Sequence, residues 1–158
     1  MSTTTEVFRE LHKSGCFVLP NPWDAGSAVY LHHLGFKALA TTSSGFAFSR
    51  GLPDDIRANP LDAVLAHFRE IVAATPLPVN ADFQNGHADE PERVAKNVAL
   101  CVATGVAGLS IEDSVVDEAK GLYDFALAVE RVKAARRAID QSGVPVVLTG
   151  TLVLRYRS

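Results

Sequence analysis

Short apolar runs recur along the chain, and stretches with helical periodicity separate them. Four runs follow a glycine, at residues 15–19, 35–40, 105–111 and 143–148, and a fifth, at 76–82, begins with proline. None alternates between polar and apolar residues, which is typical of parallel strands that are buried on both faces. A glycine in front of a run suits the left-handed residue that ends a helix. The pattern therefore predicts a leading helix and five strands.

The stretches between the last four runs predict amphipathic helices. Their apolar faces comprise Leu61, Val64, Leu65, Phe68, Ile71 and Val72 in the first, Val94, Val98, Cys101 and Val102 in the second, and Phe125, Val129, Val132 and Ile139 in the third. The charged residues of the third helix, Arg131 among them, are expected to point outward. Asp24 and Asp124 occupy predicted N-cap positions, and Pro91 suits a first helical turn.

Strands that alternate with helices at this spacing predict a parallel α/β sheet in a single domain, residues 1–158. Two architectures fit the pattern. One is a complete five-stranded doubly wound sheet. The other is a (β/α)₈ TIM barrel of which only the first five strands are present, because such a barrel typically needs about 250 residues.

Composition narrows the classes of partner. The chain has 158 residues and a formal net charge of −3, so no basic field favours nucleic acid. No apolar run reaches the roughly 18 residues that a membrane helix needs. Cys16 and Cys101 lack a CxxC spacing, and two free thiols fit a reducing cytoplasm. A cytoplasmic protein without membrane or nucleic-acid partners is expected.

Carboxylates follow two of the predicted strands. Asp82 ends the run at 76–82, and Glu112 follows the run at 105–111. Ligands of parallel α/β proteins bind at the carboxyl ends of the strands, where two carboxylates repel each other unless a cation or a proton lies between them. Mg²⁺ suits oxygen ligands of this kind. Helix caps or surface ion pairs explain the same residues about equally well.

Other polar residues carry weaker signals. Thr42, Ser43, Ser44 and Gly45 predict a tight turn whose hydroxyl and amide groups could hold an anion, although a simple turn is the more ordinary interpretation. His12, His32, His33 and His67 fall on predicted helices, where structural roles are expected, and His87 is expected to have a loop role. The predicted strand ends carry no lysine, which disfavours a Schiff-base aldolase.

At these strand ends the sequence resembles the isocitrate lyase/phosphoenolpyruvate mutase family. The matching segments are NPWDAGSA at 21–28, TSSGFA at 42–47, PVNAD at 78–82 with Asn85 and Gly86, GLSIEDS at 108–114, LYDF at 122–125 and AVER at 128–131. The similarity runs in order over residues 19–149. It implies a TIM barrel, usually oligomeric, whose members cleave or form C–C or P–C bonds of small 2-oxo acids through an enolate held by Mg²⁺.

The resemblance also implies roles for individual residues. Asp54, Asp82 and Glu112 would be catalytic, and Asp82 and Glu112 would hold the metal directly or through water. Substrate carboxylate would bind at the turn after the second predicted strand. The substrate-binding residues are then Trp23, Ser43, Ser44, Gly45 and Phe46.

The sequence departs from the family pattern in four places. Asn80 replaces the first carboxylate of an Asp-x-Asp pair, which lowers the charge of the site. Residues 114–121 lack the cysteine loop of isocitrate and methylisocitrate lyases, which argues against both substrates. Thr151 stands where relatives carry an arginine. The chain stops resembling the family after this point, as a premature stop or a frameshift would produce.

These features leave three hypotheses. The first is a Mg²⁺-dependent lyase-type enzyme for a small carboxylate, expected to form homo-oligomers. The second is an inactive, C-terminally truncated fragment or pseudoenzyme that acts only as an interaction module. The third is a complete α/β binding domain, which requires an open sheet with a point where the strand order reverses.

Overall fold

A computed structural model describes residues 2–115 and 121–151, so the departure from the family pattern at 152–158 lies outside the described residues. Within them, six helices and four strands follow one another along the chain. The helices are α1 (Thr4–Leu11), α2 (Ala25–His33), α3 (Ser43–Ser49), α4 (Leu61–Ala74), α5 (Pro91–Val102) and α6 (Phe125–Ser142). The strands are β1 (Leu39–Ala40), β2 (Val79–Asp82), β3 (Gly108–Glu112) and β4 (Val147–Thr151). No helix in this part is both long and apolar enough to cross a lipid bilayer.

The four strands form one parallel sheet in the order β1-β2-β3-β4. Asp82 of β2 lies opposite Ser110 of β3, and Glu112 of β3 lies opposite Thr151 of β4. This register places the ends of β2 and β3 at the same edge of the sheet. A doubly wound sheet requires a point where the strand order reverses, and the described residues show no such point. Their sequential order is the order of strands in a barrel wall. The described residues do not close a barrel.

The described residues have four strands, where the sequence pattern predicts five. Residues 16–22, which include most of the first predicted run, do not form a strand. The segment still lies beside β1, because the Ala40 amide donates to Pro20 O at 3.0 Å and Asn21 Nδ2 donates to Ala40 O at 3.0 Å. Pro20 and Pro22 have no amide hydrogen, so this stretch cannot supply the donors of a regular ladder.

The predicted helical faces are confirmed for α4 and α5, whereas in α6 Ile139 is the one residue of the predicted face that is buried. Val64, Leu65, Phe68 and Ile71 of α4 are buried, and so are Val94, Val98, Cys101 and Val102 of α5. In α6 the buried residues are Arg131, Ala134, Ala135, Ala138 and Ile139, whereas Phe125 is 82% exposed. Three alanines in this buried face let α6 pack closely on α5, and Arg131 and Ile139 are its large buried residues.

The predicted helix boundaries are confirmed where capping residues mark them. Asp24 accepts the Ser27 amide hydrogen at the start of α2, and Asp124 accepts that of Ala126 at the start of α6. Pro91 is the first residue of α5. Gly143 ends α6 with φ 70°, a backbone conformation that glycine adopts without a steric penalty.

Helix α1 packs at the sheet through Phe8, which is buried beside Phe17 with ring centroids 6.2 Å apart. The close approach depends on Gly108 at the start of β3. A Cβ at this position would lie 2.4 Å from Phe8 Cε1 and 2.6 Å from Asn80 Oδ1. Any larger residue would therefore displace α1 or the sheet.

Gly108→Ala is expected to lower the free energy of unfolding by about 1–3 kcal/mol, because the added methyl group overpacks a buried contact. Urea denaturation measures the change. Gly150→Ala is the matched control, since a Cβ there meets nothing within 4 Å. Equal stability of the two variants would contradict the packing argument.

Candidate active site

Three carboxylates lie together at the carboxyl edge of the sheet. Asp82 ends β2, Glu112 ends β3, and Asp54 lies in the loop after α3. The Ser43 amide donates to Asp82 Oδ2 at 2.8 Å, and the Ser43 hydroxyl donates to Asp54 Oδ2 at 3.3 Å. Ser43 thus joins two acidic residues that lie 28 positions apart in the sequence.

Gln84 contacts all three acidic residues, a role that the sequence pattern does not predict. Its Nε2 donates to Asp54 Oδ1 at 3.2 Å, and its amide nitrogen donates to Asp82 Oδ1 at 3.4 Å. Its carbonyl oxygen accepts the Glu112 amide hydrogen at 2.8 Å. The position two residues after Asp82 was the only available signal, because an isolated glutamine in a loop has no characteristic spacing.

The carboxylates influence one another electrostatically. Burial raises the pKa of Glu112 above its usual value, and the negative charges of Asp82 and Asp54 raise it further. The Ser114 hydroxyl opposes this effect by donating to Glu112 Oε2 at 2.9 Å. A group of acids whose charges oppose each other's ionisation attracts a cation or retains a proton.

The oxygen donors at this edge of the sheet are of the kind that Mg²⁺ prefers. Within residues 2–115 and 121–151, no three His, Cys, Asp or Glu side chains form a ready-made set of ligands. Zinc sites usually supply three or four protein ligands, whereas Mg²⁺ usually keeps several waters and binds one or two carboxylates. Asp82 and Glu112 could supply that smaller number.

The predicted tight turn at 42–45 is instead the start of the short helix α3, with Thr42 as its N-cap. The Gly45 amide donates to Thr42 Oγ1 at 3.1 Å, and the Phe46 amide donates to Thr42 O at 3.0 Å. Since the Ser43 amide already serves Asp82, these three amides have acceptors within the chain. The cap residue explains the helix, because a threonine side chain satisfies an amide that the first turn leaves unpaired.

Trp23 and Gly45 pack against each other at this helix. A Cβ on Gly45 would lie 2.6 Å from Thr42 Cγ2 and 3.1 Å from Trp23 Cβ. An added methyl group would clash with Thr42 and crowd Trp23, so glycine allows both side chains to lie this close. The structure thus places Trp23 beside the segment that the family resemblance assigns to substrate binding.

His67 and Asn59 also belong to this region, although the sequence predicts only a structural role for His67. Both line a small cavity together with Asp54 and Asp82. Burial lowers the pKa of His67 to about 4, so its ring is neutral at pH 7. Neither residue stood out in the sequence, because a histidine on a helix and an asparagine in a loop are common.

Arg131 is buried at 1% exposure, so the prediction that it points outward is wrong. Its guanidinium donates to the backbone carbonyl oxygens of Asn85, Ala88 and Asp89. It also lies 3.9 Å from the centroid of the Tyr123 ring. Periodicity could not reveal this role, since charged residues on a helix are usually solvated.

The residues around Arg131 form a connected network over the loop that follows β2. Tyr123 donates its hydroxyl hydrogen to Asp89 Oδ1, and Asn85 Nδ2 donates to the Tyr123 oxygen at 3.2 Å. Burial, followed by the bond to Asp89, raises the pKa of Tyr123 to about 12, so the phenol stays protonated at neutral pH.

The same loop contains two non-glycine residues with positive φ, Gln84 at 45° and His87 at 54°. Such a backbone costs energy and persists only where surrounding contacts hold it. Arg131 supplies contacts from α6, and Asn97 of α5 supplies others by donating to Gly86 O at 2.9 Å and His87 O at 3.2 Å. These contacts fix the conformation that directs Gln84 toward the carboxylates.

Arg131→Met is expected to lower the free energy of unfolding by about 1–3 kcal/mol, because buried carbonyl oxygens lose their donors. Amide hydrogen exchange of residues 84–90 should also accelerate relative to β3. Arg137→Met, an exposed position on the same helix, is the control and should change stability by less than about 0.5 kcal/mol. Unchanged exchange in the Arg131 variant would contradict the assigned contacts.

Comparisons with known proteins agree with the family resemblance. The model of the phosphoenolpyruvate phosphomutase family matches residues 8–151. An uncharacterised protein of Mycobacterium tuberculosis H37Rv is 39% identical over 133 residues, which are 82% of this chain and 48% of that protein. A candidate lyase/mutase from Burkholderia cenocepacia J2315 superposes with a TM-score of 0.90 at 45% identity, over 94% of this chain and 53% of that one.

A 2,3-dimethylmalate lyase, a PEP mutase/isocitrate lyase superfamily member, superposes with a TM-score of 0.86 at 30% identity. The match covers 96% of this chain and 54% of that one. The chain therefore spans about half the length of these relatives. Since the family model covers most of the chain, the protein belongs to the phosphoenolpyruvate mutase family, a family of carbon–carbon lyases and mutases.

Proposed function

We propose that this chain carries the acidic metal site of a Mg²⁺-dependent lyase that cleaves or forms a C–C or P–C bond of a small 2-oxo acid or related carboxylate. The observation that carries the proposal is the convergence of Asp54, Asp82 and Glu112 at one edge of the sheet, joined through Ser43 and Gln84. The similarity to a 2,3-dimethylmalate lyase supports chemistry at a C–C bond beside a carboxylate.

Asp82 and Glu112 would hold the ion, and Asp54 would orient a bound water. The ion would stabilise negative charge that develops on a substrate oxygen. Asn80 lies two residues before Asp82, on the same face of β2, and it is buried. An amide at this depth gives the site one negative charge fewer than an Asp-x-Asp pair, so weaker Mg²⁺ binding is expected than in relatives that have the pair.

On the substrate side, Ser44 is the residue best placed to bind a carboxylate. The amides of Ser43, Gly45 and Phe46 already donate to acceptors within the chain. Ser44 therefore contributes its amide and its hydroxyl, which lies 3.1 Å from Thr42 Oγ1. Gly45, Phe46 and Trp23 would shape the surface around the ligand, and Ser43 would act through Asp54 and Asp82.

Mg²⁺ together with oxalate, an enolate mimic, is expected to raise the thermal unfolding temperature of the chain. A ligand at 100 times its Kd adds about 2.7 kcal/mol to the free energy of unfolding, which scanning calorimetry detects readily. Asp82→Asn should weaken Mg²⁺ binding at least about tenfold, since it removes a ligand charge but keeps the side-chain shape.

The control is Asp62→Asn, at an exposed position in the first turn of α4. It should bind Mg²⁺ like the natural chain. A coupled assay for pyruvate release from a panel of 2-oxo acid derivatives tests the reaction separately. Equal Mg²⁺ affinity in the Asp62 and Asp82 variants would reject the metal site.

A second candidate function is that of an interaction module that forms a homo-oligomer without catalysis. A specific feature favours it: a mostly apolar groove of about 520 Å³ lies between α6 and the end of the sheet, bordered by Leu122, Phe125, Val129 and Val132. An exposed apolar surface of this kind often marks a protein interface. We propose that a second copy of the chain occupies this groove. We also propose that the protein acts in the cytoplasm, where the free thiols of Cys16 and Cys101 would stay reduced.

Phe125→Ser is expected to shift the chain from dimer or larger species toward monomer, because it removes the most exposed aromatic ring of the groove. Size-exclusion chromatography with light scattering measures the mass over a range of concentrations. Tyr30→Ser, at an exposed position on α2, is the control and should leave the mass unchanged. A natural chain that is monomeric at every concentration would contradict the interface.

A further inference from the structure

A small cavity beneath α3 contains polar atoms that the metal site does not use. The volume in which the centre of a water molecule can lie is about 10 Å³, so the cavity holds about one water molecule. Asp54 and Asp82 line it on the side of the carboxylates, Asn59 and His67 contribute further polar atoms, and Phe46 and Phe68 supply apolar walls. The cavity therefore lies directly behind the proposed metal site.

Asn59 is 4% exposed, and its side-chain orientation is fixed by two hydrogen bonds. Its Nδ2 donates to Pro53 O at 2.8 Å and to Asp55 O at 2.9 Å. Rotating the amide would place its oxygen against two carbonyl oxygens, so Oδ1 must be the acceptor that remains. Among the described residues this Oδ1 has no hydrogen-bond partner.

His67 is 2% exposed, and neither ring nitrogen has a hydrogen-bond partner in the described part of the chain. The ring lies 4.6 Å from that of Phe46, centroid to centroid. A neutral imidazole offers one N–H donor and one acceptor. Buried polar atoms of proteins are nearly always paired, so several unpaired atoms around one cavity point to a ligand.

We propose that this cavity is a binding site for one neutral hydroxyl group. The hydroxyl would donate its hydrogen to Asn59 Oδ1 and accept the hydrogen of a His67 ring nitrogen. In the free chain the group would be that of an ordered water, and in a complex it would be the alcohol of a hydroxy-acid ligand. A carboxylate or phosphonate oxygen does not fit, because Asn59 Oδ1, Asp54 and Asp82 all present acceptors to it.

The alcohol part of this inference rests on the proposed function, whereas the water part does not. The cavity would make the site prefer a 2-hydroxy acid over the same acid without its hydroxyl. One neutral hydrogen bond typically changes an affinity by up to about tenfold.

The first experiment uses the full chain without ligand. In the natural chain, nuclear Overhauser spectra should show a cross-peak between the His67 ring protons and a long-lived water. His67→Phe places an apolar ring at the cavity, so the water cross-peaks of the neighbouring Phe46 and Phe68 protons should disappear. His33→Phe, at an exposed position on α2, should leave the cross-peak unchanged. A natural chain without the cross-peak overturns the proposal.

The second experiment measures the affinities of malate and succinate by calorimetry in the presence of Mg²⁺. The natural chain should bind malate about tenfold more tightly than succinate. In His67→Phe the two affinities should lie within about twofold of each other. His67→Gln keeps a donor and an acceptor, so it should retain part of the preference for malate. An unchanged preference in His67→Phe overturns the alcohol part. Failure of both acids to bind would count against the proposed function instead, and the water cross-peak would still decide the cavity.

Discussion

Repulsion among carboxylates at one edge of a parallel sheet is the constraint on which the rest of this structure depends. The register of β2 against β3 brings Asp82 and Glu112 to the same edge, and the loop after α3 adds Asp54. Each carboxylate is partly compensated by a donor: the Ser43 amide and hydroxyl, Gln84 and Ser114. These donors orient the acids without neutralising them, which leaves a negative site suited to a hard cation.

Much of the framework of this site could be predicted from local sequence. Buried parallel strands have a clear signature, since they are short, apolar and preceded by helix-ending glycines. Strands β1 to β4 all fall within or beside predicted runs, and the positions of Asp82 and Glu112 follow from the strand ends. The first run does not form a strand, and Pro20 and Pro22, which follow it beside β1, lack the donors of a ladder, a feature that no measure of hydrophobicity takes into account. Asp54 entered only through the family resemblance.

The residues that periodicity missed are polar groups whose partners are distant in sequence. Gln84, Asn59 and His67 acquire their roles only when the loops after α3 and β2 meet. Arg131 was assigned to the surface because a charged residue on a helix usually is exposed, yet its partners are carbonyl oxygens more than 40 positions away. The buried face of α6 consists largely of short alanine side chains, which a hydrophobic pattern registers only as a weak face.

Helix α6 contributes to two properties of the chain. One side packs on α5 through Ala135, Ala138 and Ile139 and sends Arg131 to the loop that holds Gln84. The other side, with Phe125 and Val132, remains open. The described residues therefore supply their own support for the acidic site, whereas they do not cover the apolar surface beside it. Binding of a metal ion and association with another chain would therefore take place side by side, because Glu112 and Arg131 also line the apolar groove.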